Sequence, residues 1–142
     1  MKISTRGRYG LRAMVDLALH YEKGYIPLKT IAGRQEISEG YLEQLFAILR
    51  KENLIDSVRG AQGGYRLSDS PENIEVGKIL RALEGPIVPV ECAANRGDPK
   101  CQRYSNCSTR SLWEKMRHSI EEVVDSVSLK DLILDNTSND KS

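Results

Sequence analysis

The sequence predicts a mainly α-helical fold: a winged helix-turn-helix domain with a two-stranded wing, then a long C-terminal helix. Three observations predict it. Apolar residues recur at helical spacing in two neighbouring segments, 28–32 and 42–49, joined by a tight turn. A glycine-rich hairpin follows directly across residues 54–67. Near the C-terminus Trp113, Met116, Ile120, Val123 and Val127 are spaced alternately by three and four.

The first helix is expected across residues 5–21, with Leu11, Met14, Val15 and Ala18 on one face and Gly24 just past its end. Leu28, Ile31 and Ala32 mark a second helix of about two turns, opened by Pro27, whose fixed φ suits a first helical position. Ser38 is a good N-cap for the third helix. That helix carries Leu42, Leu45, Phe46 and Leu49 on one face, and Glu39, Gly40, Glu43, Gln44, Ala47 and Arg50 on the other.

Residues 54–59 then alternate as a strand, Gly60-Ala61-Gln62-Gly63-Gly64 turns, and Tyr65-Arg66-Leu67 returns. Arg59 and Gly60 stand at the tip of this wing, where glycine lets backbone approach a surface closely. The glycines do not form a phosphate loop of the nucleotide-binding kind, because no Lys-Ser/Thr follows and the next element is a strand. Val76, Ile79, Leu80 and Leu83 give a fourth helix closed by Gly85 and Pro86. These elements divide the chain into a DNA-binding domain (1–85), a polar loop holding all three cysteines (86–107), a dimerisation helix (108–134) and a disordered polar tail (135–142).

Charge adds to this reading. The net charge is only +1, yet residues 1–66 hold 11 Lys/Arg against 7 Asp/Glu and the remainder 10 against 13. Lys2, Arg6, Arg8 and Arg12 precede the first acid, Asp16. A basic half joined to an acidic half suits a polyanion-binding module with a partner or regulatory module. Phosphate contacts would come first from Lys2, Arg6 and Arg8. The start of the third helix would enter the major groove of double-stranded DNA with Ser38, Tyr41, Glu43 and Gln44. Glutamine can pair with adenine there, and glutamate can accept from cytosine N4. Glu43 also reads as a solvated face residue. Arg59 would reach the minor groove.

MKISTRGRYG has no apolar core, so it is not expected to be a signal peptide. No apolar run approaches the ~20 residues that span a bilayer. A cytoplasmic protein with no membrane partner is expected. No Ser-His-Asp, paired-carboxylate or nucleotide-binding arrangement supports an enzyme.

Cys92, Cys101 and Cys107 are an odd number clustered in one loop, which argues against a disulfide framework. Three thiolates suit an iron-sulfur cluster or zinc. A three-cysteine zinc site normally adds a histidine, and His20 and His118 both lie far from the loop in sequence. The spacing along the last helix reads as a two-fold dimer seam, the symmetry that a palindromic DNA site demands, or as packing within its own domain.

Several strings resemble the IscR-type iron-sulfur regulators. They are Ser4-Thr5-Arg6-Gly7-Arg8-Tyr9, Ser38, Tyr41-Leu42-Glu43-Gln44-Leu45-Phe46, Leu49-Arg50, Val58-Arg59-Gly60, Gly63-Gly64-Tyr65, Leu83-Glu84 and Leu112-Trp113. The resemblance implies a homodimeric bacterial transcription regulator, a repressor, that controls iron-sulfur biogenesis or related genes. It implies cluster ligation by Cys92, Cys101 and Cys107, with [2Fe-2S] preferred over [4Fe-4S]. Two departures matter. The Cys-x8-Cys-x5-Cys spacing has a longer first gap than the best-known members. Arg110 stands where the prototype has a ligating histidine, and Arg8 where nitric-oxide-sensing relatives have a ligating aspartate. Arginine has no lone pair to give. Glu91, Asp98, Ser108 or a small thiol are the candidates for a fourth ligand. A cysteine-based redox or zinc-dependent repressor of the same fold is the alternative.

Overall fold

A computed structural model describes residues 2–89 and 108–140, with the backbone alone for 136–140. Helix α1 is Thr5–Leu19, α2 Leu28–Gln35 and α3 Glu39–Lys51. Strands β1 (Ile55–Val58) and β2 (Gly64–Leu67) follow, then α4 (Val76–Glu84), α5 (Arg110–Ser126) and α6 (Leu129–Asp140).

The mainly helical winged helix-turn-helix is present. The four apolar residues predicted to face inward on α3, and the four on α4, are all buried, as their spacing requires. On α1 the buried face is rotated from the expected one. Ala13, Met14, Leu17 and Ala18 are buried, while Leu11 and Val15 are only half-buried. Small residues cause the rotation. Gly7 and Gly10 press α1 against the end of α4, and a Cβ on Gly10 would collide with Leu83.

β1 and β2 pair antiparallel from Ile55↔Leu67 to Val58↔Gly64. The wing gains a third, one-residue rung that alternation could not show. Ile26 and Tyr65 exchange both backbone hydrogen bonds at 2.8 Å, just ahead of α2. Gly64 permits this approach, since a Cβ there would strike the Ile26 backbone.

Within the C-terminal segment 108–134, α5 ends at Ser126, where the Trp113–Val127 spacing closes, and Val127 is extended. The Val76 amide donates to the Val127 carbonyl at 2.8 Å, and the Leu129 amide to that of Ile74 at 3.0 Å. Ser128 then starts α6. Its Oγ accepts from the Asp131 amide at 3.1 Å, and its own amide donates to Asp131 Oδ2 at 2.9 Å. This reciprocal capping box forms a helix start. Leu129 is fully buried in the winged core, and Leu132 and Ile133 pack beside it. The C-terminal segment therefore completes the core of the first. Residues 135–140, expected to be disordered, continue α6, because a nucleated and anchored helix adds turns at little cost.

Candidate nucleic-acid interface

The elements expected to face DNA rest on polar and aromatic contacts around α1. Asp16 of α1 is only 2% exposed and is the one buried charged residue among those described. Arg34 of α2 grips it with two prongs, Nε to Oδ2 at 3.0 Å and Nη2 to Oδ1 at 2.7 Å. Gln35 Nε2 donates to Oδ2 at 2.9 Å. Burial pushes this carboxyl up. The hydrogen bonds from Arg34 and Gln35, with the charges of Arg34 and His20, outweigh burial and hold it below the ordinary aspartate value. Arg12 Nη2 donates to the Gln35 carbonyl at 2.8 Å, so α1 also satisfies the end of α2. Glu36 follows in the left-handed region, φ 56°, and makes the turn into α3.

Ser38 is the α3 N-cap, its Oγ accepting from the Tyr41 amide at 3.2 Å. Tyr41 is half-buried and meets Tyr9 edge to face, centroids 6.2 Å apart. Arg12 lies over the other ring partner, Tyr9, at 5.3 Å. The Tyr9–Tyr41 contact brings the first turns of α1 to the start of α3. Glu43 and Gln44 are exposed on α3, as are Lys2, Arg6 and Arg8 at the other end of the contact.

Phe46 of α3 packs on Tyr65 of β2 with centroids 4.8 Å apart, which ties the wing to the third helix. Arg59 and Gly60 are exposed at the tip. Gly60 has φ 113°, and a Cβ on Gly63 would run into the Val58 carbonyl, so the turn needs glycine at both places. Arg66 stacks on Tyr25 at 4.6 Å, a basic group on the wing that strand alternation alone did not single out as held. Arg6, Arg8 and Arg59 make no ion pair among the described residues. Arg6 still feels the charge of Glu84, and all three cations are exposed where a phosphate could reach them.

The residues expected to form a dimer seam divide into two groups. Ile120 and Val127 pack on the chain's own second cluster, Val76, Leu80 and Ile87. Val123 is 61% exposed and Met116 37%, and Leu112, off the expected seam, is 50% exposed. Trp113 is half-buried and donates from Nε1 to Thr109 Oγ1 at 3.1 Å. The inward face of α5 is locked to α4 by Arg81, which donates to both Asp125 carboxylate oxygens at 2.7 and 2.9 Å. Leu112, Met116 and Val123 thus form an outward apolar strip offset from the predicted one.

Cys92, Cys101, Cys107, Glu91 and Asp98 lie outside the described residues. Ser108 is exposed in a turn ahead of α5. Arg110 opens α5 and pairs with Glu114 at 3.8 Å. Among the described residues no three His, Cys, Asp or Glu side chains gather as a metal site. No described helix is long and apolar enough to cross a membrane.

Sequence reasoning missed the Asp16–Arg34–Gln35 network and the capping box at Ser128. A signal existed for the capping box in Ser128-Leu129-Lys130-Asp131. Asp16 could have been noticed as an acid between Val15 and Leu17 inside an apolar helix.

The model of a family described as "Rrf2: Iron-dependent Transcriptional regulator" matches residues 3–135. The HTH-type transcriptional regulator IscR of Aliivibrio salmonicida is 43% identical over 136 residues, 96% of this chain and 79% of that protein. The solved structure of T. potens IscR is 48% identical, with a TM-score of 0.77 over 96% of this chain and 88% of that one. The structure of CymR (YrzC), described as the global cysteine regulator of B. subtilis, is 45% identical, with a TM-score of 0.75 over 93% of this chain and 95% of that one. A winged helix-turn-helix with exposed arginines, matched along nearly its whole length by such proteins, makes this chain a transcriptional regulator rather than an enzyme, and a member of the Rrf2 family.

Proposed function

We propose that the protein is a cytoplasmic, dimeric repressor of a palindromic operator whose DNA affinity is set by an iron-sulfur cluster on Cys92, Cys101 and Cys107. The observation that carries this reading is the placement of all three thiols in the segment between α4 and α5. That segment joins the winged helices to the helix bearing the outward apolar strip. Three thiolates are a soft donor set that fits such a cluster. When bound, the cluster supplies redox- and oxygen-sensitive ligation. The chain's own residues do the rest. Lys2, Arg6 and Arg8 meet phosphates, Ser38, Tyr41, Glu43 and Gln44 face the major groove, and Arg59 with Gly60 enters the minor groove.

Arg110, paired with Glu114, offers no lone pair, so an oxygen of Glu91, Asp98 or Ser108, or an external thiol, completes the set. By the resemblance [2Fe-2S] is preferred to [4Fe-4S], and the regulated genes serve iron-sulfur biogenesis. A second reading has support from the CymR likeness. In it the same thiols act as a redox or zinc switch without a cluster.

The test begins with duplexes selected from a random pool by the anaerobic protein. Their affinity is then measured before and after the cluster is removed by chelator and air. A change of about fivefold or more is expected, the lower range of site-to-site coupling. Unchanged, still specific binding would reject cluster control.

A further inference from the structure

The last residue of α4 holds the first turn of α1. Glu84 Oε1 accepts from the Ser4 amide at 3.2 Å, from the Gly7 amide at 2.9 Å, and from the Ser4 hydroxyl. Ser4 is the N-cap of α1 but makes no side-chain cap bond to its own helix. Its hydroxyl is turned to Glu84 instead. The orphan amides of a helix start are thus satisfied by a carboxylate 77 residues away from Gly7, where the helix dipole also favours negative charge.

Glu84 is itself firmly placed. Its neighbour Leu83 is buried against Gly10, and Ile87, just beyond, packs in a cluster with Ile3 and Leu11. A Cβ on Gly7 would come 2.6 Å from Glu84 Oε1, so the approach is close enough to need glycine. From this clamped turn project Arg6 and Arg8, both exposed. Lys2 precedes it.

We propose that Glu84 is a positioning residue for DNA binding, fixing the first turn of α1 so that Arg6 and Arg8 meet the DNA backbone together. The proposal rests on the reading of that turn as a phosphate contact. A frayed turn would have to be ordered on binding, at an entropic cost that a clamped turn avoids. Charge and position make opposite demands here. A carboxylate near the DNA repels phosphates, so a residue acting only through charge would weaken binding, and its removal would strengthen it. A positioning residue must behave the other way.

The experiment titrates the full-length protein with a short duplex of mixed sequence across a series of salt concentrations, by fluorescence anisotropy. Arg6→Ala with Arg8→Ala should lower the slope of log affinity against log salt by about one unit per lost phosphate contact. Glu84→Ala should lower both slope and affinity, the affinity by about three- to tenfold, and should add nothing in the double-arginine background. Glu84→Gln keeps an acceptor oxygen and should stay within about twofold of wild type. Urea unfolding of each variant separates these effects from loss of folded protein. Should Glu84→Ala fail to fold, Ser4→Ala, which removes one of the three bonds, should show a smaller loss with the same slope change. If the double-arginine variant keeps the wild-type slope, the phosphate reading falls and the proposal with it. If that variant loses slope while Glu84→Ala, or Ser4→Ala in its place, binds as well as wild type, the proposal alone is overturned. Tighter binding by both Glu84→Ala and Glu84→Gln would also overturn it.

Discussion

Arg34 of α2 and Asp16 of α1 form a two-pronged ion pair, 3.0 and 2.7 Å, that joins the first two helices beneath the turn into α3. The carboxylate is buried while the guanidinium stays partly in water, so only one partner has lost its hydration. Removing Asp16 lets Arg34 rehydrate, whereas removing Arg34 leaves a buried charge with only Gln35 and the His20 ring as side-chain partners. Asp16→Ala should cost about 1–3 kcal/mol in urea unfolding, and Arg34→Ala at least as much.

Because the folded Asp16 carboxyl lies below its ordinary value, it favours the folded state above the unfolded pKa of about 3.9. That contribution is lost as pH falls through the lower, folded value. Wild-type stability should therefore fall below about pH 4. The fall should be shallower in Asp16→Asn, followed by denaturant midpoint at each pH.

Arg59 stands exposed at the wing tip, beside Gly60 in a conformation that favours glycine. Arg59→Ala should weaken specific DNA binding by about 1–3 kcal/mol at fixed salt, the range for a good base contact, without changing thermal stability. An unchanged affinity would remove the wing from the interface.

The division of the α5 apolar residues separates folding from assembly. Met116→Asp with Val123→Asp alters the outward strip and should give folded monomers in sedimentation, with strongly weakened palindrome binding. Two half-sites ~34 Å apart must be held together. Ile120→Asp buries a charge against Val76, Leu80 and Ile87, and should instead unfold the α4–α5 packing. A dimer that survives the Met116/Val123 change places the interface elsewhere.

Much of the fold was legible because helix and strand periods are local. Leu42, Leu45, Phe46 and Leu49 state the buried face of α3 outright, and the glycines of the wing state its turn. What remained hidden depends on partners far apart in the chain. The α1 face turned because Gly10 must receive Leu83. The C-terminal helix breaks because Val127 and Leu129 pair with residues 74–76, partners that only folding brings near. The spacing of three and four could not tell Ile120, which faces inward, from Val123, which faces out. Basic residues and the α3 polar face were readable by type, but Asp16 and Glu84 act through donors that only folding brings near.

Cys92, Cys101 and Cys107 are proposed to hold an iron-sulfur cluster. The most direct measurement is the visible spectrum of anaerobically purified protein with iron and acid-labile sulfide assays, beside a variant carrying Cys92→Ala, Cys101→Ala and Cys107→Ala. Visible absorption with bound iron and sulfide is expected in the wild type, and loss of all three in the variant with its helical circular dichroism intact. A wild type without iron and sulfide after reconstitution, or a triple variant that binds both equally well, would contradict it.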